Sequence, residues 1–98
     1  MKIEWLPRAE KSLNDQLDYI EQDNIQAADT VAERVQRQTG QLARFPELGR
    51  AGRMRGTREL VISRTSLVLV YQLRPKLVKI EILRVLHSSQ QWPPANKA

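Results

Sequence analysis

Arginine and histidine side chains in the second half of the sequence are the groups best suited to chemistry. Six arginines fall in a predicted loop or at the ends of predicted strands: Arg50, Arg53, Arg55, Arg58, Arg64 and Arg84. A guanidinium binds phosphate and carboxylate groups through a planar fork of donors. Such a cluster is suited to a nucleic-acid backbone or an acidic protein segment, and a solvated basic surface without a ligand is the alternative interpretation.

His87 is the only histidine of the chain, and imidazole is the side chain that ordinarily titrates near neutral pH. At the end of the last predicted strand it could act as a general acid or base toward a ribose 2′-hydroxyl or a leaving oxygen. Alternatively, it makes a local hydrogen bond or contacts a partner. In a regular strand Arg84 shares a face with Ile82 and Leu86, whereas His87 points the other way. This alternation argues against a tight Arg84–His87 pair unless a β-bulge intervenes.

The sequence contains no strong motif for phosphate, metal or cofactor binding. Gly49, Gly52 and Gly56 have neither the spacing nor the Lys-Ser/Thr ending of a phosphate-binding loop. The lack of cysteine excludes disulfides and thiolate zinc sites, and a single histidine excludes a His-rich metal site. We therefore predict no metal and no cofactor. Trp5 and Trp92 could each stack on a base or anchor a partner, but packing at the sheet edge is the simpler interpretation.

The charge is distributed unevenly along the 98 residues, which carry 16 Lys and Arg against 11 Asp and Glu, a net charge of +5. Residues 1–43 have five basic and eight acidic side chains, net −3, whereas residues 44–98 have eleven basic and three acidic ones, net +8. This asymmetry indicates that the second half faces RNA, DNA or an acidic protein segment. The sequence has neither a signal peptide nor a membrane-spanning stretch, so we expect a cytoplasmic protein without membrane contact.

The periodicity of the apolar residues predicts the elements that position these groups. Residues 2–5 form a short edge strand, and apolar residues at helical spacing predict helices over residues 7–22 and 25–44. A basic loop follows over residues 46–56, and then three strands over residues 58–63, 67–73 and 77–86. We predict an α+β fold in a single domain over residues 1–98. An N-terminal strand precedes a helical hairpin that packs on one face of a small antiparallel sheet, and the other face stays partly open.

Four segments together resemble the RelE/ParE toxins of bacterial type II toxin–antitoxin systems. They are FPELGR after the second helix, GTREL entering a strand, LVLVYQL as the central strand, and EILRVLH followed by a QWP tail. Their order and spacing match the family from the opening strand to Trp92-Pro93. The resemblance implies the same helical hairpin on an antiparallel sheet. It also implies a cognate antitoxin that wraps and inactivates the toxin, in a complex that binds operator DNA through the antitoxin.

Two activities follow from the resemblance. RelE-type members cut messenger RNA in the ribosomal A site with arginines, lysines and a terminal tyrosine or histidine, whereas ParE-type members inhibit DNA gyrase and trap cleaved DNA. In this chain Val68 stands where RelE-like sequences tend to place an arginine, and no tyrosine follows the last strand. The ADTVAERV, LARFPELGR and ILRVLH segments look more like the ParE type, which needs no active-site acid or base.

The leading interpretation is therefore a growth-arresting gyrase inhibitor that is not an enzyme. Its expected contacts with the target or with phosphate are Arg53, Arg55, Arg58, Arg64 and Arg84. The alternative is a ribosome-dependent mRNA endoribonuclease, with His87 as acid or base and Arg58, Arg64 and Arg84 around the phosphate. A toxin-like chain that has lost toxicity and still binds an antitoxin is a third possibility.

Overall fold

A mixed five-stranded sheet carries two helices on one face in the computed structural model, which describes residues 1–94. The elements in chain order are β1 (Lys2–Trp5), α1 (Pro7–Asp23), α2 (Ile25–Gly40), β2 (Arg50–Ala51), β3 (Arg58–Val61), β4 (Leu67–Arg74) and β5 (Lys79–His87). The predicted α+β fold with a helical hairpin on one sheet face is confirmed.

The strands are arranged in the order β1-β5-β4-β3-β2. β3, β4 and β5 are antiparallel neighbours, as predicted. The short β2 lies within the segment predicted as a loop over residues 46–56 and pairs antiparallel with β3. β1 runs parallel to β5, with Lys2 opposite Lys79 and Trp5 opposite Ile82. Only strands joined by a tight turn must be antiparallel. Because both helices and three strands separate β1 from β5, the parallel orientation is sterically possible.

The two helices form a hairpin joined at Asn24. Pro7 begins α1, where its missing N–H costs nothing, and Ala9 and Leu13 lie on the buried side of that helix. Asn24 caps α2, because its Oδ1 accepts a hydrogen bond of 3.0 Å from the backbone N–H of Ala27. One face of the hairpin therefore packs on the sheet, and the acidic side chains remain on the solvent side.

The second helix ends earlier than the sequence predicts. The α-helix stops at Gly40, and a 3₁₀ turn over Gln41–Ala43 follows. Glycine is a poor helix former, and the N–H of Gln41 bonds to the carbonyls of Gln38 and Thr39, which tightens the chain. The tighter turn places Leu42 in the core, where it is fully buried.

A β-bulge in β5 decides which side chains face the helices. Tyr71 of β4 lies opposite Ile82, and Val70 opposite Arg84, so Leu83 is the extra residue. As a result Arg84 does not share a face with Ile82, contrary to the alternation expected from the sequence. Ile82 belongs to the helix-facing core, whereas Arg84 lies in one row with Val70.

The sheet face that points away from the helices, here called the outer face, is covered at its centre. Val68, Val70 and Leu86 lie on it and are at most 2% exposed. The predicted partly open face is therefore closed at its centre, whereas Val61, opposite Val68 on the same face, is 49% exposed. The loop before β3 and the segment after β5 close over it, and a hydrogen bond from Arg53 to the carbonyl of Gln90 joins them.

Candidate functional site

Glu59 is the buried charge around which the outer face is organised. Its side chain is 1% exposed and receives hydrogen bonds from Nε and Nη2 of Arg53 at 3.1–3.2 Å and from the backbone N–H of Arg53 at 2.8 Å. Arg50 adds a longer contact of 3.4 Å. Burial by itself raises the pKa of Glu59, but the hydrogen bonds and charge of Arg53, with Arg50, bring that pKa below its ordinary value.

Arg58, like Arg53, was predicted to contact the target, and its side chain forms hydrogen bonds within the protein. Its Nη1 donates to the carbonyl of Gly49 at 2.6 Å and to that of Glu47 at 3.3 Å. Beside it the hydroxyl of buried Tyr71 donates to the carbonyl of Pro46 at 2.8 Å and accepts from the N–H of Gly49 at 2.9 Å. Arg58 and Tyr71 thus fasten the segment after α2 to the sheet.

Arg84 lies in the same cross-strand row as Val70 and Glu59. The only hydrogen bond of its side chain within residues 1–94 goes from Nη1 to the carbonyl of its neighbour Leu83, at 2.7 Å. The guanidinium carbon stands 5.6 Å from the centre of the Trp92 ring. Burial first, and then the nearby positive charge of Arg8, lower the pKa of Arg84 from its ordinary value. In the described part of the chain no carboxylate forms an ion pair with Arg84.

Arg55 and Arg64 are the predicted contact residues that extend into solvent. Arg55 is exposed at the tip of the basic loop, and Arg64 is exposed in the turn between β3 and β4, where its backbone adopts a φ of 63°. The carbonyl of Arg64 accepts a hydrogen bond from Nη1 of Arg34 in α2. These two side chains are available to a partner without any rearrangement.

His87 lies on the other side of the sheet from Arg84, near the turn that carries Arg64. Because it follows Val85 and Leu86 in regular alternation after the bulge, it points to the helix side, opposite Arg84. Its Nδ1 contacts Oγ of Ser89 at 2.8 Å, so one ring nitrogen is engaged locally. The side chain borders a hollow of about 250 Å³ between α1 and the β3–β4 turn. Of the three arginines predicted around the phosphate, Arg58 and Arg84 do not line this hollow, whereas Arg64 directly precedes Thr65, which does.

The sequence did not single out Glu59, Tyr71 or Arg8 as neighbours of the predicted contact arginines. Glu59 counted only as one of few carboxylates in the second half of the chain, since a glutamate is seldom fully buried unless it is paired. Arg8 belongs to the acidic first half of the chain and approaches Arg84 only through the fold. Trp92 was expected at the sheet edge, and its ring packs against Arg84 of β5, beyond the end of β1.

A separate apolar groove lies at the opposite end of the sheet. It has a volume of about 610 Å³ and is lined by Met1, Phe45, Leu48, Leu73 and Pro75, with Arg44 and Glu47 at its rim. Phe45 and Leu48 are 57% and 48% exposed, which is unusual for large apolar side chains that lie next to each other. The groove is therefore a candidate surface for a protein partner.

Two further observations concern the described residues 1–94. No group of three or more His, Cys, Asp and Glu side chains there could hold a metal ion. None of the helices in that range is both long and apolar enough to cross a bilayer.

Comparisons with known proteins identify the family. Residues 3–92 match the model of the ParE toxin of the type II toxin–antitoxin system parDE. A protein of Sinorhizobium fredii (strain NBRC 101917 / NGR234), named there as a candidate toxin, Y4kP, is 38% identical over 92 residues, which cover 94% of this chain and 93% of Y4kP.

Solved structures agree on the fold. A chain of the chromosomal ParDE toxin–antitoxin system of P. aeruginosa superposes with a TM-score of 0.77 at 22% identity, covering 89% of this chain and 95% of the other. A chain of the RelBE2 toxin–antitoxin complex of Mycobacterium tuberculosis superposes with a TM-score of 0.56 at 22% identity, covering 88% and 95%. With the match over residues 3–92, this chain belongs to the ParE toxin family of type II toxin–antitoxin systems, within the RelE/ParE superfamily.

Proposed function

We propose that this toxin arrests bacterial growth by inhibiting DNA gyrase, and that a cognate antitoxin neutralises it. The observation that carries the proposal is the match to the ParE family over almost the whole chain. The chemistry of the surface supports it. A binding inhibitor needs charge and shape but no acid–base pair. On the outer face Arg84 has no carboxylate ion-paired to it within residues 1–94, and His87 points to the helix side.

The alternative, a RelE-type mRNA endoribonuclease, has His87 in its favour. Cleavage at a ribose 2′-hydroxyl needs a proton acceptor within hydrogen-bond reach of that hydroxyl, and cations at the same phosphate. His87 lies on the helix side and Arg84 on the outer face, while Arg58 is bonded to two loop carbonyls. Of the three predicted arginines only Arg64 lies in the turn beside the His87 hollow, and the distance of Arg58 and Arg84 from His87 favours gyrase inhibition over RNA cleavage.

The antitoxin is the partner that the family supports most directly, because both superposed structures belong to toxin–antitoxin systems. The apolar groove at Phe45 and Leu48 gives such a partner an apolar surface to bury, and Arg55 and Arg64 give it exposed positive charges. An antitoxin segment that folds on binding and carries acidic side chains fits both features. Binding of the complex to operator DNA through the antitoxin is part of the same proposal.

Gyrase supercoiling and DNA-cleavage assays with the purified protein test the proposed target. We expect a loss of supercoiling or an accumulation of cleaved DNA, and we expect the antitoxin to reverse it. Folded protein that stops growth in cells but leaves gyrase unaffected would contradict the proposal. Messenger RNA cleaved within translating ribosomes would then support the RNase alternative.

Replacement of His87 separates the two mechanisms at the level of one residue. Because the His87 ring only borders a hollow and bonds to Ser89, His87→Ala is expected to leave growth arrest and gyrase inhibition within about twofold of wild type; a general acid or base contributes roughly 10²–10⁴-fold to a rate. Growth arrest after induction is the measurement, with soluble, folded protein verified. Ser89→Ala is the matched control, since it removes only the partner of the ring. Abolished arrest with retained antitoxin binding would point to catalysis by His87.

A further inference from the structure

We propose that Arg84, Trp92 and Arg8 form a binding site for one phosphate group on the outer face, and that nucleic-acid phosphate is its ligand. The inference deepens the proposed function, on which it rests in one respect: the DNA held by gyrase would supply the phosphate. The site is defined by donors that have no acceptor within residues 1–94. It lies at the edge of the sheet where β1 ends and α1 begins.

The first group with donors that lack an acceptor within residues 1–94 is the guanidinium of Arg84. One of its nitrogens, Nη1, donates to the carbonyl of Leu83, and the fork of Nε and Nη2 has no acceptor among residues 1–94. Glu59, two strands away in the same row, cannot serve it, because Arg53 and Arg50 already surround that carboxylate. The row therefore carries more positive than negative charge, with the excess at Arg84.

The second donor that lacks an acceptor within residues 1–94 is the indole N–H of Trp92. This atom is buried and has no hydrogen-bond partner in the described chain. Buried polar groups in folded proteins nearly always have a partner, so an orphaned donor indicates a ligand or a water. The Arg84 guanidinium packs over the same indole ring, so the two donors belong to side chains that are in contact.

Arg8 adds a second positive charge to the location. It stands at the start of α1, where the helix end is itself positive. Its charge, after burial, lowers the pKa of Arg84, and neither guanidinium forms an ion pair within residues 1–94. Bringing like charges together costs free energy in the free protein, and a bound anion removes that cost.

The arrangement of the donors favours phosphate over carboxylate. A carboxylate is planar, and a single guanidinium fork satisfies both of its oxygens. Here donors come from a fork, an indole N–H and a second guanidinium, which suits a tetrahedral group whose oxygens point in several directions. Phosphate thus accounts for Trp92 and Arg8, whereas a carboxylate accounts for Arg84 alone.

NMR of the two indole N–H groups tests the site in the intact protein. Titration with inorganic phosphate, and then with a short double-stranded DNA, is expected to shift the Trp92 signal saturably and leave the Trp5 signal in place. Arg84→Gln is expected to weaken this response about tenfold or more, because a charge-assisted fork is lost. Arg84→Lys keeps the charge without the fork and should fall between the two. Trp5→Phe assigns the signals and serves as the matched control.

Thermal unfolding gives a second readout that does not depend on the indole signal. Phosphate should raise the Tm of the wild type more than that of Trp92→Phe, Arg8→Gln or Arg84→Gln. A general salt effect would raise all four equally. Equal rises together with an unmoved Trp92 signal would overturn the inference. A polyglutamate peptide that shifts Trp92 at lower concentrations than DNA would overturn the choice of phosphate.

The failures of the two proposals are distinguishable. If phosphate and DNA bind at Trp92 but the wild type leaves gyrase unaffected, the site stands and the proposed target is wrong. If gyrase is inhibited equally by the wild type and Arg84→Gln, and Trp92 does not respond, the target stands and the site is wrong.

Discussion

Replacing Glu59 by glutamine is expected to lower the free energy of unfolding by about 3 kcal/mol, and the Tm by roughly 10–20 °C. Glu59 is 1% exposed and accepts hydrogen bonds from the side chain and the backbone of Arg53, with a further contact from Arg50. Glutamine has nearly the same shape but no charge, and its amide offers donors to a site that needs an acceptor. Thermal or urea-induced unfolding at neutral pH measures the loss.

The pH dependence of this loss follows from the pKa of Glu59. Because its pKa in the folded protein lies below the ordinary value of 4.5, the charged carboxylate stabilises the fold above that value. This contribution disappears as the pH falls through the lowered pKa, where the folded protein also takes up the proton. The stability difference between wild type and Glu59→Gln should therefore be full at pH 7 and shrink below about pH 4.

Glu33→Gln is the matched control for Glu59→Gln. Glu33 forms an ion pair of 2.6 Å with Arg37, but the side chains are 61% and 57% exposed. Solvent screens such a pair, so the control should change stability by no more than about 0.5 kcal/mol at any pH. Arg53→Gln should cost more than Arg50→Gln, since Arg53 makes the shorter contacts. Equal stability of the Glu59 and Glu33 variants would contradict a structural role for the buried carboxylate.

The fold was more predictable from the sequence than the surface that carries the arginines. Helical spacing of apolar residues and the apolar run of β4 are local signals, and they placed both helices and the last three strands to within a few residues. The parallel pairing of β1 with β5 depends on residues nearly eighty positions apart, and no local pattern encodes it. The same holds for the bulge at Leu83, which shifted Arg84 away from the face of Ile82.

The predicted arginine contacts illustrate the limit for the candidate site. Sequence reasoning treated the arginines as equivalent cations, because charge and loop position are all that a sequence shows. In the structure Arg53 pairs with a buried carboxylate and Arg58 with two backbone carbonyls, whereas Arg84 has no counter-ion within residues 1–94. The difference arises from partners that are distant in sequence, and it decides which arginine is available to a ligand.

Replacing Gly49 by alanine is expected to destabilise the protein by about 2–4 kcal/mol, measured by urea-induced unfolding. A Cβ at this position would lie 2.8 Å from Cε1 and from the hydroxyl oxygen of Tyr71, and 2.9 Å from the carbonyl oxygen of Glu59. The tyrosine cannot move aside easily, because it is fully buried and its hydroxyl bonds to Gly49 and Pro46. Relief of the clash therefore breaks hydrogen bonds that fasten this segment to the sheet.

Gly40→Ala is the same change at another glycine, and it is expected to raise the stability of the protein. A Cβ at Gly40 meets nothing within 4 Å, and alanine favours the helix end by up to about 1 kcal/mol over glycine. The two variants should thus move stability in opposite directions although each adds one methyl group. If Gly49→Ala proved as stable as Gly40→Ala, the close packing of the FPELGR segment against Tyr71 would be wrong. The hydrogen bond from Arg58 to the carbonyl of Gly49 would then be wrong as well.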